Sequence, residues 1–165
     1  MTLQKIGGLA SLTCAATYLV GFAFLVTVLA PLGYGTTDID ARAVVAFIDR
    51  HPSFLILWNS VIYVLNALAL TVLVVALHSR LKAGAPHWAE VIRALGLIWS
   101  TLVLGAGMIG NVAVERAAHV FPSDAARAAD IWDTLHAVEL GLGGGNEIAG
   151  GVWILLVGLA ALIGR

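Results

Sequence analysis

Apolar residues dominate the chain in four long runs, 6–32, 54–77, 94–114 and 140–163, and shorter segments between them carry nearly all of the charge. Each run meets or exceeds the ~20 residues a helix needs to cross about 30 Å of hydrocarbon. The pattern predicts one all-α domain over residues 1–165: an integral membrane bundle of four transmembrane helices in up-and-down order, with short interfacial helices on the outer side. Thr37-Asp38-Ile39-Asp40 reads as a capping box with Thr37 as N-cap. It opens a helix ending at His51-Pro52 that turns Val44, Val45, Phe47 and Ile48 to the membrane surface or the bundle mouth. A second short helix starts at Pro122-Ser123-Asp124 and runs through Trp132 toward the fourth run.

Composition narrows the class further. With 60% hydrophobic and 12% charged residues, the chain departs from soluble domains, in which roughly a quarter of residues are charged. Lys5 precedes the first run and Val28-Leu29-Ala30 resembles a cleavage site, but the run is about twice as long as a secretory signal's apolar region and is read as a retained helix. Cys14 is the single cysteine, so no intramolecular disulfide forms. With the N-terminus in the cytoplasm, Lys5, Arg80, Lys82, Arg93 and Arg165 lie inside, against Arg42, Arg50, Arg116 and Arg127 outside. That margin, with the middle-loop cations close to two membrane ends, places both termini of this multi-pass cell-membrane protein in the cytoplasm. The outer side is then acidic. Trp58 and Trp132 fall near the outer boundary and Trp88 near the inner one, as an interfacial aromatic belt predicts. The expected partner is the lipid bilayer, joined by a membrane-protein partner or a second copy of the chain; no nucleic-acid partner is implied.

Small residues at four-residue spacing mark helix contacts: Thr13, Thr17 and Gly21; Thr101 and Gly105; Ala106 and Gly110; Gly141, Gly145 and Ala149. Polar residues also fall on helical faces. Asn59, Tyr63 and Asn66 form one stripe, Gly107, Asn111, Glu115 and His119 a second, and Asp133, His136, Glu139, Gly143, Asn146 and Glu147 a third. Their convergence predicts a polar crevice that opens outward and ends near Glu147, the ionisable residue deepest in an apolar run. Gly143, Gly144 and Gly145 weaken the helix there by about 1 kcal/mol each relative to alanine, so a break is expected beside it. Broken helices at membrane depth expose backbone groups to ligands in many transporters. The ligand-binding candidates are therefore Glu147, Asn146, Asn66, Asn111, Tyr63 and Asn59. The asparagines have a second reading, as interhelical hydrogen bonds alone, and Glu147 as a neutral carboxyl bonded to one of them.

A metal site is the alternative. Glu115, His119, Asp133, His136 and Glu139 supply oxygen and nitrogen ligands suited to zinc, manganese or iron, although their spacing matches no specific signature. Solvated interfacial charge explains the same residues without a metal. No pair of histidines lies at matching depth within the runs for a haem, and neither an acyl-transfer triad nor a phosphate loop is assembled, so no cofactor is assigned.

The stretches ALHSRLKAGAP, GLIWSTLVLGAGMIGNV and GLGGGNEIAGGVWILLVGLAAL resemble an uncharacterised family of small bacterial multi-pass membrane proteins, a domain-of-unknown-function group. The resemblance covers most of the chain and implies the same fold and a bacterial inner-membrane location, with no assigned activity. Members of that family carry further apolar spans after a short basic loop, so the resemblance implies a C-terminally short chain, as a shortened member or a truncated product. Two functional classes stay open: a non-enzymatic membrane module binding a small ligand, ion or partner helix in the crevice, and a metal-assisted membrane enzyme acting at its outer mouth.

Overall fold

The computed structural model describes residues 2–144 and 148–163. Helix α1, Leu3–Phe24, is capped by the Thr2 side chain, which accepts from the backbone of Lys5. It continues as a π-helical turn, Leu25–Leu29, and a 3₁₀ turn, Ala30–Leu32. Gly33 ends it at φ 87°, where a Cβ would stand 2.7 Å from Asp38 O and Ile39 Cα, so glycine is required by both conformation and space. Helix α2, Ala41–Arg50, follows, and α3, Pro52–Asn59, runs through a π segment, Ser60–Leu65, into α4, Asn66–Leu81. Helix α5, Pro86–Val120, is continuous. Helix α6, Ala125–Glu139, leads through a third π segment, Leu140–Gly144, toward α7, Ile148–Ile163.

Four helical rods, Leu3–Leu32, Pro52–Leu81, Pro86–Val120 and Ala125–Leu162, are long and apolar enough to cross a membrane. They outrun the apolar runs because hydropathy marks hydrocarbon thickness, whereas helix continues into the polar flanks until a cap or proline stops it. Close glycine contacts fix how they pack. Gly7 abuts Ala76 and Gly21 abuts Ile62; Gly96 meets Val74 and Gly107 meets Tyr63; Gly96 meets Trp153 and Gly105 meets Leu142. In every pairing one number rises as the other falls, so successive rods are antiparallel. Rod one packs on two, two on three and three on four, whereas among the described residues one and four share no extensive packing. The array is therefore open along one side.

One end of the array, here the capped end, carries α2 and the start of α6. Asp40, not Thr37, caps α2: its carboxylate accepts from the backbone of Arg42 and Ala43 at 3.0 and 3.1 Å. The helix begins three residues' worth of turn later than the capping box implied, because Gly33 and the Asp40 N to Leu32 O bond hold 33–40 in a turn. Val44, Val45 and Ile48 are fully buried against Leu55, Val114 and Trp132. Toward the opposite end a second core gathers Leu70, Val74, Ile92, Trp99 and Trp153. There the α4–α5 turn is pinned by Glu90, which accepts from His78 at 2.9 Å and pairs with Arg93 at 3.0 Å.

Candidate functional site

Between rods one and four lies a cavity of about 1150 Å³. Its walls come from Tyr18, Phe22 and Leu25 on the first rod, Ile62 and Tyr63 on the second, Trp99 and Val103 on the third, and Leu140, Gly150, Gly151 and Ile154 on the fourth. All three π segments contribute a wall residue: Leu25, Ile62 with Tyr63, and Leu140. A π turn inserts one extra residue into the helical ladder and re-aims the side chains that follow, which is why such turns gather at functional sites.

The polar end of this cavity is built on α6. His136 and Glu139 lie one turn apart, are 8% and 6% exposed, and meet at 3.0 Å from Nδ1 to Oε2. This contact fixes the orientation of the imidazole against the carboxyl group. Trp132, four residues earlier, stacks on the His136 ring with centroids 4.6 Å apart. Tyr34 closes the site from the first rod's turn. Gly33 and Gly35 flank it, both at positive φ (87° and 82°), and the doubled reversal tucks the phenol against Trp58, Trp132 and His136 at 5.8, 6.1 and 5.8 Å between centroids. Burial, and then the nearby Glu139 charge, push the Tyr34 pKa well above the ordinary tyrosine value.

Glycine again allows the closest approach. A Cβ on Gly110 would stand 3.0 Å from Asn59 Nδ2 and 3.3 Å from Glu139 Oε2, so its absence lets the amide and the carboxylate converge over α5. Trp58 donates from Nε1 to the Gly21 carbonyl at 3.3 Å, tying the second rod to the first beside the cavity.

The expected site residues are distributed as follows. Asn59 reaches the polar end and Tyr63 lines the cavity. Asn66 is buried elsewhere, donating to Thr17 Oγ1 at 2.7 Å and to the Cys14 carbonyl at 3.4 Å, so it joins two helices and does not line the cavity. Asn111 donates to Ser60 at 3.3 Å, while its Oδ1 is buried with no hydrogen-bond partner among the described residues. Asn146 and Glu147 lie outside the described residues. A break does occur in the glycine run, at Gly143, whose φ of 142° is non-helical.

Of the five metal-ligand candidates only His136 and Glu139 meet. Glu115 and His119 are exposed: the buried positions of α5 at this end are Ala113, Val114 and Ala117, and Glu115 and His119 follow Ala113 and Ala117 by two residues, a turn of about 200°. Asp133 faces outward, with Asp38, Asp40 and Asp130 along a shallow surface depression. Among the described residues no three His, Cys, Asp or Glu side chains gather to hold a metal ion. Trp58 and Trp132, expected in an interfacial belt, are 8% and 2% exposed and point into the bundle, Trp58 on the cavity wall and Trp132 behind the His136 ring, whereas Trp88 is exposed. Tyr34 and Trp99 were not singled out from the sequence. The Gly-Tyr-Gly step at 33–35 is the signal that could have found Tyr34.

No family model, curated protein or solved structure matches the chain. The functional reading therefore rests on this geometry.

Proposed function

We propose that the protein is a multi-pass membrane protein, both termini on the cytoplasmic side, that acts as a non-enzymatic module binding one small amphipathic molecule in the cavity between its first and fourth rods. The observation that carries this is the cavity itself: an apolar space of about 1150 Å³ with a buried carboxylate–imidazole pair at one end. Ligand sites of a few hundred to about 1000 Å³, mostly apolar with a few convergent polar groups, are the ordinary form of small-molecule pockets. In a bilayer the gap between rods one and four faces lipid, so a molecule dissolved in the membrane enters sideways, with its apolar body among Phe22, Val103 and Ile154 and its polar group at His136 and Glu139.

Gly151 makes the reading testable. It lines the cavity, and a Cβ added there meets nothing within 4 Å, so a side chain at this position occupies the ligand's space without disturbing packing. The expected result is saturable binding of neutral 1-aminoanthracene, one per chain, to protein in lipid nanodiscs, lost in Gly151→Phe while helicity and thermal midpoint are retained. Absence of saturable binding above protein-free nanodiscs, or equal binding by Gly151→Phe, contradicts the proposal.

A further inference from the structure

Granting that the cavity binds a ligand, we infer that its polar group is an organic cation, a protonated amine or a quaternary onium centre, held between the Glu139 carboxylate and the rings of Tyr34 and Trp58. Three observations converge on this charge. Among the described residues the cavity wall carries one carboxylate, Glu139, and no lysine or arginine. His136 does not reverse the sign: neutral, it leaves the pair at one negative charge, and protonated, it leaves the pair uncharged. With Glu139 ionised the pair carries no net positive charge, so an anion finds no partner there.

The second observation is the ring content of the wall. Tyr34, Trp58, Tyr63 and Trp99 line the same space as Glu139. Aromatic faces carry negative quadrupole potential that attracts ammonium and onium groups and repels anions, and the attraction grows where water is excluded. The third is the carboxylate's unused capacity. Oε2 accepts from His136 Nδ1, whereas Oε1 accepts no hydrogen bond among the described residues, although the side chain is 8% exposed. A buried carboxylate with a free oxygen favours a donor or a cation arriving through the cavity it lines. A ligand with a neutral head would leave that charge uncompensated.

An isosteric pair of probes of opposite charge, tetraphenylphosphonium and tetraphenylborate, tests the sign directly in nanodiscs, with protein-free nanodiscs as the baseline. Tetraphenylphosphonium is expected to displace 1-aminoanthracene from the unaltered protein, and tetraphenylborate to need at least about tenfold more. Glu139→Gln is expected to weaken the cation about tenfold, and by more than it weakens the neutral dye. Tyr34→Phe, which keeps the ring, should retain the cation, and Tyr34→Leu should lose it. Equal displacement by both probes, or an unchanged cation affinity in folded Glu139→Gln, overturns the cation inference and leaves the cavity reading standing if the dye still binds. The isostere comparison uses the unaltered protein, so it decides even where a variant fails to fold. Failure of the dye to bind the unaltered protein sinks both.

Discussion

Among the described residues Asn66 with Thr17 and His136 with Glu139 are buried polar pairs, and their surroundings separate glue from site. Asn66, 2% exposed, donates its amide N–H groups to Thr17 and the Cys14 carbonyl, so its donors are spent between two helices. Such interhelical bonds average about 0.6 kcal/mol and reach about 1.7 at most, since the separated helices also find partners. A double-mutant cycle on Thr17→Val and Asn66→Leu, read as unfolding free energy in mixed micelles, should give a coupling within that range; zero coupling would remove the assignment. His136 and Glu139, by contrast, pair with each other and still line an open cavity. Helical period alone placed Asp133, His136 and Glu139 on one face, yet it could not say which of them a neighbour would cover. Tyr34 and Trp132 cover His136, and Tyr34 arrives through a reversal built by Gly33 and Gly35, a turn invisible to hydropathy. For the same reason Trp58 and Trp132 read as interfacial when both pack on Tyr34, Trp58 also on Gly21 and Trp132 on His136.

At the scale of the element, the cavity exists because three rods depart from α-helix where they border it. A π turn frees a backbone carbonyl and bends the rod; in this chain the Leu25–Leu29 and Ser60–Leu65 turns each put a residue on the wall, as does Leu140 just before the kink at Gly143. The fourth rod breaks further, at Gly143, whose φ of 142° is disfavoured for any residue with a Cβ. Gly143→Ala should destabilise the protein by about 1–3 kcal/mol. Gly141, in open space and without a positive φ, is the control: Gly141→Ala should be neutral or stabilising by up to ~1 kcal/mol. Equal effects at the two positions, measured by thermal unfolding in detergent, would mean that the break is not a fixed part of the fold. Hydropathy made the four rods legible, and the glycine run marked where the last would break. Helix ends were less legible, since the Thr37 capping box and the Asp40 cap differ only in where the preceding turn closes.

On the scale of the whole molecule, the open side of the array leaves a cavity between apolar helices with a polar pair at one end. The third rod is the hub, packed on both the second and the fourth, while the first and fourth are held apart around the cavity. A closed four-helix bundle would bury its polar pair without access; an open one in a bilayer offers it to whatever dissolves in the lipid. Photolabelling asks directly whether a molecule from the membrane reaches that pair. An alkylamine carrying a diazirine, irradiated with the protein in a bilayer and mapped by peptide mass spectrometry, should modify Glu139, with the adduct suppressed by excess unlabelled amine and absent in Gly151→Phe. Adducts confined to outward-facing residues such as Leu12, Leu19 and Leu155, with Glu139 unmodified, would contradict the account.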